Sequence, residues 1–573
     1  MKSIIKKLCI LCLIIPTLTG CLEETFPTSS TATVDQVSGS DAALGAMTNS
    51  ITKEMLRMGA SNDNCGFGYP SMMMWFDVAL QDMPVYNTQY NYFNMYMCNT
   101  SYLGSYVWQQ DVWTFYYALV RDCNLLIDAV DEDNLFPTSK QYFGTALAYR
   151  SLAYMDMVRW YEFKHTGTSL DGEAEASGIM KQTIPLVTEE TTEEEGRNNP
   201  RAPFYKMYRF IINDLNKAEQ ILAEYQRGEK KNFADVSVIY GLKARFYMEL
   251  GSRFERYPED LQMQLSHESD EELSQYDLLN ISSATDCYNL AKKYALQAID
   301  CGYSPVTTEQ WFEPTSGFNT VNQAWMFAII MGANDETTTW KTWIGQMSPE
   351  QTFGVTHYGA YRLIGASLYN KIPDADWRKA TWIDPADASK IPIPAKYRTL
   401  LSPEDWAKRP AYTGFKIRPG GGDMGNYLVG TIVDIPLMRV EEMYFIDAEA
   451  TAYTEGLSAG IQKLESFINQ YRYTDGSYHC EATDLDTFID ELLLQKRIEF
   501  WGEGILMWDY KRLEKQVIRG YIGTNFVADH RYNSLKGYVA PWMNLFLHKG
   551  ETQYNLAIVN NPDPSNILPK WTE

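Results

Sequence analysis

The clearest pattern in this chain is a recurrence of apolar positions every 3.6 residues. Between residues 143 and 161, Ala146, Leu147, Ala153, Tyr154, Met157, Val158 and Tyr161 fall on one stripe. That spacing predicts an amphipathic helix with the stripe buried. Arg150 lies on the same stripe. A buried guanidinium must be paired, so its expected role is structural. The same recurrence predicts helices over 113–130, 204–225, 237–250, 285–301, 438–455, 460–472 and 487–500. Asp or Ser often precedes these segments, as an N-cap would.

Small residues shape how these helices pair. Ala291, Ala295 and Ala298 line one side of a helix that ends at Gly302, with Pro305 shortly after. Gly241 and Ala244 play a similar part in the preceding helix. Small side chains at these spacings let helices pack closely, and the pairs resemble those of tetratricopeptide repeats. The repeats are degenerate: about 35 residues separate the 237–250 and 285–301 helices, and the period is irregular. The expectation is an all-α dominated fold of four helix pairs forming one right-handed scaffold. Residues 60–112 and 303–435 break the pattern, being rich in Gly, Pro, Asn, Thr and aromatics. Loops this long inside a domain are usually functional or carry their own small structure. They predict a large irregular second lobe within a single domain spanning 41–573. Within it, the apolar run Ala324 to Ala333 reads as a buried strand.

The amino terminus carries separate chemistry. Lys2, Lys6 and Lys7 precede the apolar run Leu8 to Leu18, which is too short to span a bilayer. It fits a secretory signal over residues 1–20. The run ends in Leu18-Thr19-Gly20-Cys21, which looks like a lipobox with Cys21 as the lipidated first mature residue. Several acyl chains on one cysteine give stable anchoring without a membrane span. Glu23 and Glu24 resemble an acidic export signal to the outer face of the outer membrane, and residues 21–40 read as a tether. Loss of the three signal lysines takes the formal charge from −23 to −26. Nucleic-acid binding, which needs clustered Lys and Arg, is therefore disfavoured. Cys65, Cys98, Cys123, Cys287, Cys301 and Cys480 are scattered without a CxxC. They read mostly as free buried thiols, with Cys65–Cys98 the one pair to test.

Aromatic residues supply the candidate binding chemistry. Residues 67–117 hold 16 aromatics in 51 positions and only three charges, Asp77, Asp82 and Asp111. Residues 311–382 hold Trp311, Trp325, Trp340, Trp343, Trp377 and Trp382, six of the fifteen tryptophans. Trp325, Trp113, Tyr116 and Tyr117 read as core. Rings in polar loop context are different: Tyr86-Asn87-Thr88-Gln89-Tyr90-Asn91-Tyr92 alternates ring and amide, and Trp340-Lys341-Thr342-Trp343 sets two indoles beside polar neighbours. Flat rings stack on the C–H faces of sugars while amides and carboxylates bond the hydroxyls, and Tyr and Trp join an apolar face to a polar handle. The same chemistry could hold a peptide.

Catalytic signatures are missing. The sequence has no HExxH, GxxxxGK[ST], GxSxG or GxGxxG, and its six histidines are scattered, so no metal or cofactor is implied. A secreted glycosidase would need only two carboxylates, which the 73 acids neither exclude nor support.

Five blocks make the chain resemble the SusD/RagB family of nutrient-binding outer-membrane lipoproteins. They are WTFYYALVRDCNLLI, with Trp113, Tyr116 and Asn124; ALAYRSLAYMDMVRWY from Ala146, with Glu162 where glycine is usual; IPLVTEET at 184–191 with NPRAP at 199–203 and the Asp214-Leu215 helix; IPLMRVEEMYFIDAEA at 435–450, with Glu441 for the usual alanine; and KRIEFWGEGILMWDYKRL at 496–513, with Leu506 where arginine is common. The resemblance implies an all-α scaffold on four repeat pairs, lipid-anchored at the cell surface. It implies a binder and not an enzyme, one that captures an oligosaccharide or other nutrient and caps a TonB-dependent, SusC-like transporter. Family ligand residues lie in variable loops, so none transfers by motif. On chemistry alone the expected ligand contacts are Tyr86, Tyr90, Tyr92, Trp311, Trp340, Trp343 and Tyr361, with Asp82 and Asn87 as hydrogen-bonding partners.

Overall fold

The computed structural model describes residues 37–59, 66–86, 93, 107–335, 337–388, 393–394, 397, 399–567 and 570–572. Cys21, Cys65, Cys98, Asn87, Tyr90 and Tyr92 lie outside the described residues.

All eight helices expected from periodicity form. They are preceded by α1 (Asp41–Glu54) and α2 (Tyr69–Val78). The eight are α3 (Val107–Ala129), α4 (Pro137–Tyr161), α5 (Phe204–Leu222), α6 (Val236–Arg256), α7 (Ala284–Ile299), α8 (Val440–Thr454), α9 (Leu457–Tyr471) and α10 (Leu485–Glu499). A shorter α11 (Leu506–Arg512) follows. Each of α3 to α10 packs on the next, so the pairs stack in sequence order. Side-chain caps start several of them. Asp235 accepts from Ser237 N at 3.0 Å, Ser283 from Asp286 N at 3.1 Å and Asp484 from Thr487 N at 2.8 Å. Each cap satisfies an amide that the helix itself cannot.

The small residues permit the close stacking. Ala291, Ala295 and Ala298 are fully buried on α7. A Cβ added at Gly241 on α6 would lie 2.1 Å from the sulfur of Met438, so a larger residue there must displace that side chain. Gly302, at φ +91°, follows the end of α7 in the left-handed conformation that glycine adopts without strain. Cys123, Cys287 and Cys480 are free and buried, and Cys301 is free and exposed.

The irregular lobe is short turns around one antiparallel pair of strands. Strand β1 (Trp325–Ile329) falls in the apolar run and pairs with β2 (Ile435–Arg439), which leads directly into α8. Trp325 is fully buried.

Charged side chains within the core join the lobe to the helices. Glu499 at the end of α10 accepts from Arg472 Nε at 2.7 Å, Arg378 Nη1 at 2.9 Å and Arg439 Nη1 at 3.1 Å. Arg378 also pairs with Asp376, Arg439 with Glu503 and Glu441, and Lys416 with Glu503. Four cations thus meet four carboxylates, all within 3 % of full burial. Asp376, Arg378 and Lys416 come from the lobe; Glu441, Arg472 and Glu499 come from α8 to α10. The arginines hold the Glu499 carboxyl well below its ordinary range despite burial. Glu441 also accepts from Val306 N at 2.6 Å. Glu162 pairs with Arg253 at 2.8 Å. Leu506 is buried in the core. Arg150 is paired as its stripe required, donating to both oxygens of Asp214 at 2.7 and 2.8 Å and to Asn124 Oδ1 at 2.8 Å.

Candidate functional site

Three stretches of the irregular segments come together in a short ladder that presents the Tyr86 ring to solvent. Val85 bridges Arg362 and Leu363 bridges Thr413, all antiparallel. Tyr86 N donates to Tyr361 O at 3.2 Å, Leu363 N to Pro84 O at 3.1 Å and Gly414 N to Arg362 O at 3.2 Å. This ladder sets the Tyr86 and Tyr361 rings side by side, with centroids 6.4 Å apart and planes at 57°. Tyr86 is 47 % exposed. Tyr361 is buried, with the Arg409 guanidinium 5.3 Å from its ring centre.

A second stretch presents Trp340, which is 37 % exposed with Lys341 Nζ 5.2 Å from its ring centre. Its loop closes tightly because of two glycines. A Cβ on Gly345 would lie 2.2 Å from Trp340 O, and one on Gly354 would lie 2.2 Å from the Gly345 Cα. Gly354 in turn starts the short turn Val355–Tyr358, whose last residue is 56 % exposed. Tyr358 is an exposed ring the sequence reading passed over. Its signal was the His357-Tyr358-Gly359 setting, where Gly359 at φ +96° turns the chain back at once.

Four expected ligand residues are interior instead: Tyr361, 6 % exposed, and Trp311, Trp343 and Asp82. Trp311 is fully buried, and its Nε1 donates to Thr381 Oγ1 at 2.9 Å. The same indole lies 4.4 Å from Lys416 Nζ, which ties it to the charge network. Trp343 is 1 % exposed and starts the buried helical turn Trp343–Met347, so of the two neighbouring indoles one faces out and one faces in. Asp82 is 4 % exposed, and both its oxygens accept from Arg497, at 2.7 and 2.6 Å. Its carbonyl accepts from Trp501 Nε1 at 2.9 Å and from Gly365 N at 3.0 Å, so Asp82 anchors the ladder from beneath. Glu350, which lies close behind through the Arg409–Pro349 O bond, is likewise fully buried and salt-bridged to Arg418 at 2.7 Å.

Arg362 sits under the ladder with Nη2 donating to Gln346 Oε1 at 2.6 Å and Nη1 to Ala360 O at 3.1 Å. Burial lowers its pKa to about 9. Among the described residues no group of three or more His, Cys, Asp or Glu is placed to hold a metal ion, and no helix is long and apolar enough to cross a membrane.

The described residues thus form a stacked-helix scaffold with exposed rings on its irregular segments. Two family models match the chain: one described as starch-binding, associating with the outer membrane, over residues 73–248, and the SusD family over residues 426–555. The chain belongs to the SusD/RagB family. Its fold is similar to that of a SusD-like carbohydrate-binding protein from Bacteroides vulgatus, with TM-score 0.65 and 18 % identity over 91 % of this chain and 97 % of that one. A SusD superfamily protein from Bacteroides thetaiotaomicron matches with TM-score 0.62 and 16 % identity over 91 % and 100 % of the two chains. The surface glycan-binding protein A of the same organism, solved with laminarihexaose, matches with TM-score 0.56 and 14 % identity over 91 % and 99 %. Among curated proteins no match was found.

Proposed function

We propose that this chain binds an oligosaccharide or polysaccharide at the outer membrane through Tyr86, Trp340 and Tyr358. The observation that carries this reading is the Tyr86 ring, 47 % exposed and set against the buried Tyr361 ring by backbone bonds. Rings positioned this way offer an apolar face to sugar C–H groups without further loss of side-chain freedom. Asn87, Tyr90 and Tyr92 continue the same segment and join the proposed set by chemistry alone. Membership of a family described as outer-membrane associated supports the location, and the glycan in the B. thetaiotaomicron relative supports the ligand class. Binding without turnover fits two buried carboxylates near the ladder. Asp82 and Glu350 are each held in a buried arginine pair, and neither faces a ligand as a glycosidase acid or base must.

In this reading a lipid on Cys21 tethers the protein, and its bound ligand passes to a TonB-dependent, SusC-like transporter. Titration calorimetry against a panel of polysaccharides tests the binding step. Saturable binding that weakens at least tenfold in Trp340→Ala or Tyr86→Ala is expected. Binding of peptides but no glycan would transfer the surface to the alternative nutrient. Radiolabelled palmitate should enter the wild-type chain and not Cys21→Ala.

A further inference from the structure

The described cysteines are all free, so no disulfide among them ties one helix to another. The seam between α5 and α6 holds the groups for a different covalent tie. These two helices pack on each other. Lys243 of α6 is 1 % exposed. Its Nζ donates to Asn216 Oδ1 at 2.6 Å and to the Glu219 carboxylate. Asn216 and Glu219 stand three residues apart on α5 and so share one face of that helix. One buried amine therefore meets a carboxamide and a carboxylate together.

The other buried lysines lack this arrangement. Lys416 meets Glu503 and two backbone carbonyls, Lys496 meets Asp509, and Lys511 meets three carbonyls. The surroundings of Lys243 also suit a reaction. Its Nζ lies 4.9 Å from the Tyr294 ring centre. Tyr247 and Tyr240 pack on Tyr294, with centroids 5.9 and 6.0 Å away. Burial lowers the Lys243 pKa below its ordinary value, against the pull of Glu219. That favours the neutral amine, which is the nucleophilic form. Asn216 is fixed as well. Its Nδ2 donates to Asp277 Oδ2 at 2.9 Å, which turns the amide oxygen to Lys243 and the amide nitrogen away. Holding the two reactants in contact removes the encounter that an unactivated amide would otherwise need.

We propose that Lys243 and Asn216 condense into an intramolecular amide that cross-links α5 to α6, with Glu219 as the proton carrier. The Lys243 ammonium group first gives one proton to Glu219. The freed Nζ lone pair bonds to Cγ of Asn216, and Nζ loses a second proton as the new amide forms. Glu219 carries both protons to Nδ2. The Cγ–Nδ2 bond breaks, and its electron pair leaves with ammonium ion. Glu219 ends as it began, and no oxidant or cofactor is consumed. The bond closes the loop between residues 216 and 243, which restricts the unfolded chain as a disulfide does. This proposal does not rest on the identity of the ligand.

Mass spectrometry of a tryptic digest of the denatured, full-length mature protein tests it. Trypsin cuts after a free lysine and not after an acylated one. The segments Phe210–Lys217 and Asn232–Arg245 should appear as one branched species, uncut at Lys243 and lighter than their sum by one ammonia. Lys243→Arg and Glu219→Gln should each release Phe210–Lys217 as a separate linear peptide. A cooperative melt in both variants distinguishes a lost bond from a lost fold. Linear Phe210–Lys217 from the wild type, with cleavage after Lys243, would overturn the proposal. A branched species that persists in Glu219→Gln would overturn the role given to Glu219.

Discussion

Replacing Glu499 by glutamine removes one charge from the centre of the buried network and leaves its shape almost unchanged. In the wild type, five donor bonds from Arg378, Arg439 and Arg472 converge on this carboxylate, at 2.7 to 3.2 Å, with no solvent contact. The amide has one acceptor oxygen, and its NH₂ faces guanidinium donors. Breaking a buried pair from one side costs about 3–5 kcal/mol, because the remaining charge is left uncompensated. Unfolding entropy near 2.1 cal/mol/K per residue, taken over about 500 described residues, is roughly 1 kcal/mol/K. The melting temperature should therefore fall by ~3–5 °C in a calorimetric scan at pH 7. Acidity provides a second check. The Glu499 carboxyl is held well below its ordinary range in the folded chain, so between that value and the unfolded one, about 4.3, the unfolded state binds the extra proton. Its contribution is then complete above the unfolded value and is lost as pH falls through the folded one. The gap between wild type and Glu499→Gln should hold from pH 7 to 5 and narrow below about 4. A shift under ~1 °C at pH 7, or a gap that widens in acid, would refute the account of how the lobe is joined to the helices.

Asp82→Asn should destabilise by about 3–5 kcal/mol, since it strands Arg497, yet leave glycan affinity per folded molecule unchanged; a selective loss of affinity would return Asp82 to the ligand set. Gly241→Val drives a methyl into the sulfur of Met438 and should cost ~1–3 kcal/mol by overpacking, read as a shifted urea midpoint with an unchanged slope. Burial and the Arg519 charge lower the His530 pKa from 6.5 to about 4. The unfolded chain therefore takes up a proton between those values that the folded chain refuses, and stability falls as pH drops from 6.5 to 4. Melting temperature followed over that range should decline less steeply in His530→Phe than in the wild type; parallel curves would remove His530 from the acid response.

The stacked helices were legible because their apolar stripes are long and regular. Where burial is not one-sided, the pattern failed. Every residue of α2 is buried, including Met72, Met73, Met74, Trp75 and Phe76, so it has no polar face to reveal its period. The last turn of α6 extends past the expected end at 250 because Arg253 is buried in its pair with Glu162, although a charged residue reads locally as surface. The same limit governed the site. Trp340 and Trp343 stand three residues apart among the same polar neighbours, yet one is 37 % exposed and the other 1 %. Asp82 was singled out as a rare charge in an aromatic stretch, but its partner Arg497 is 415 residues away. Tertiary pairing at that separation leaves no trace in a local window.

The most direct test of the central claim is calorimetric titration of one glycan that binds the wild type, repeated with Tyr86→Ala, Trp340→Ala and Trp343→Ala. The account predicts that the two exposed rings lose at least tenfold in affinity with melting temperatures preserved. It also predicts that Trp343→Ala, cut from the core, loses ~3–5 kcal/mol of stability while its folded fraction still binds. Affinity untouched by Tyr86→Ala and Trp340→Ala together would contradict it.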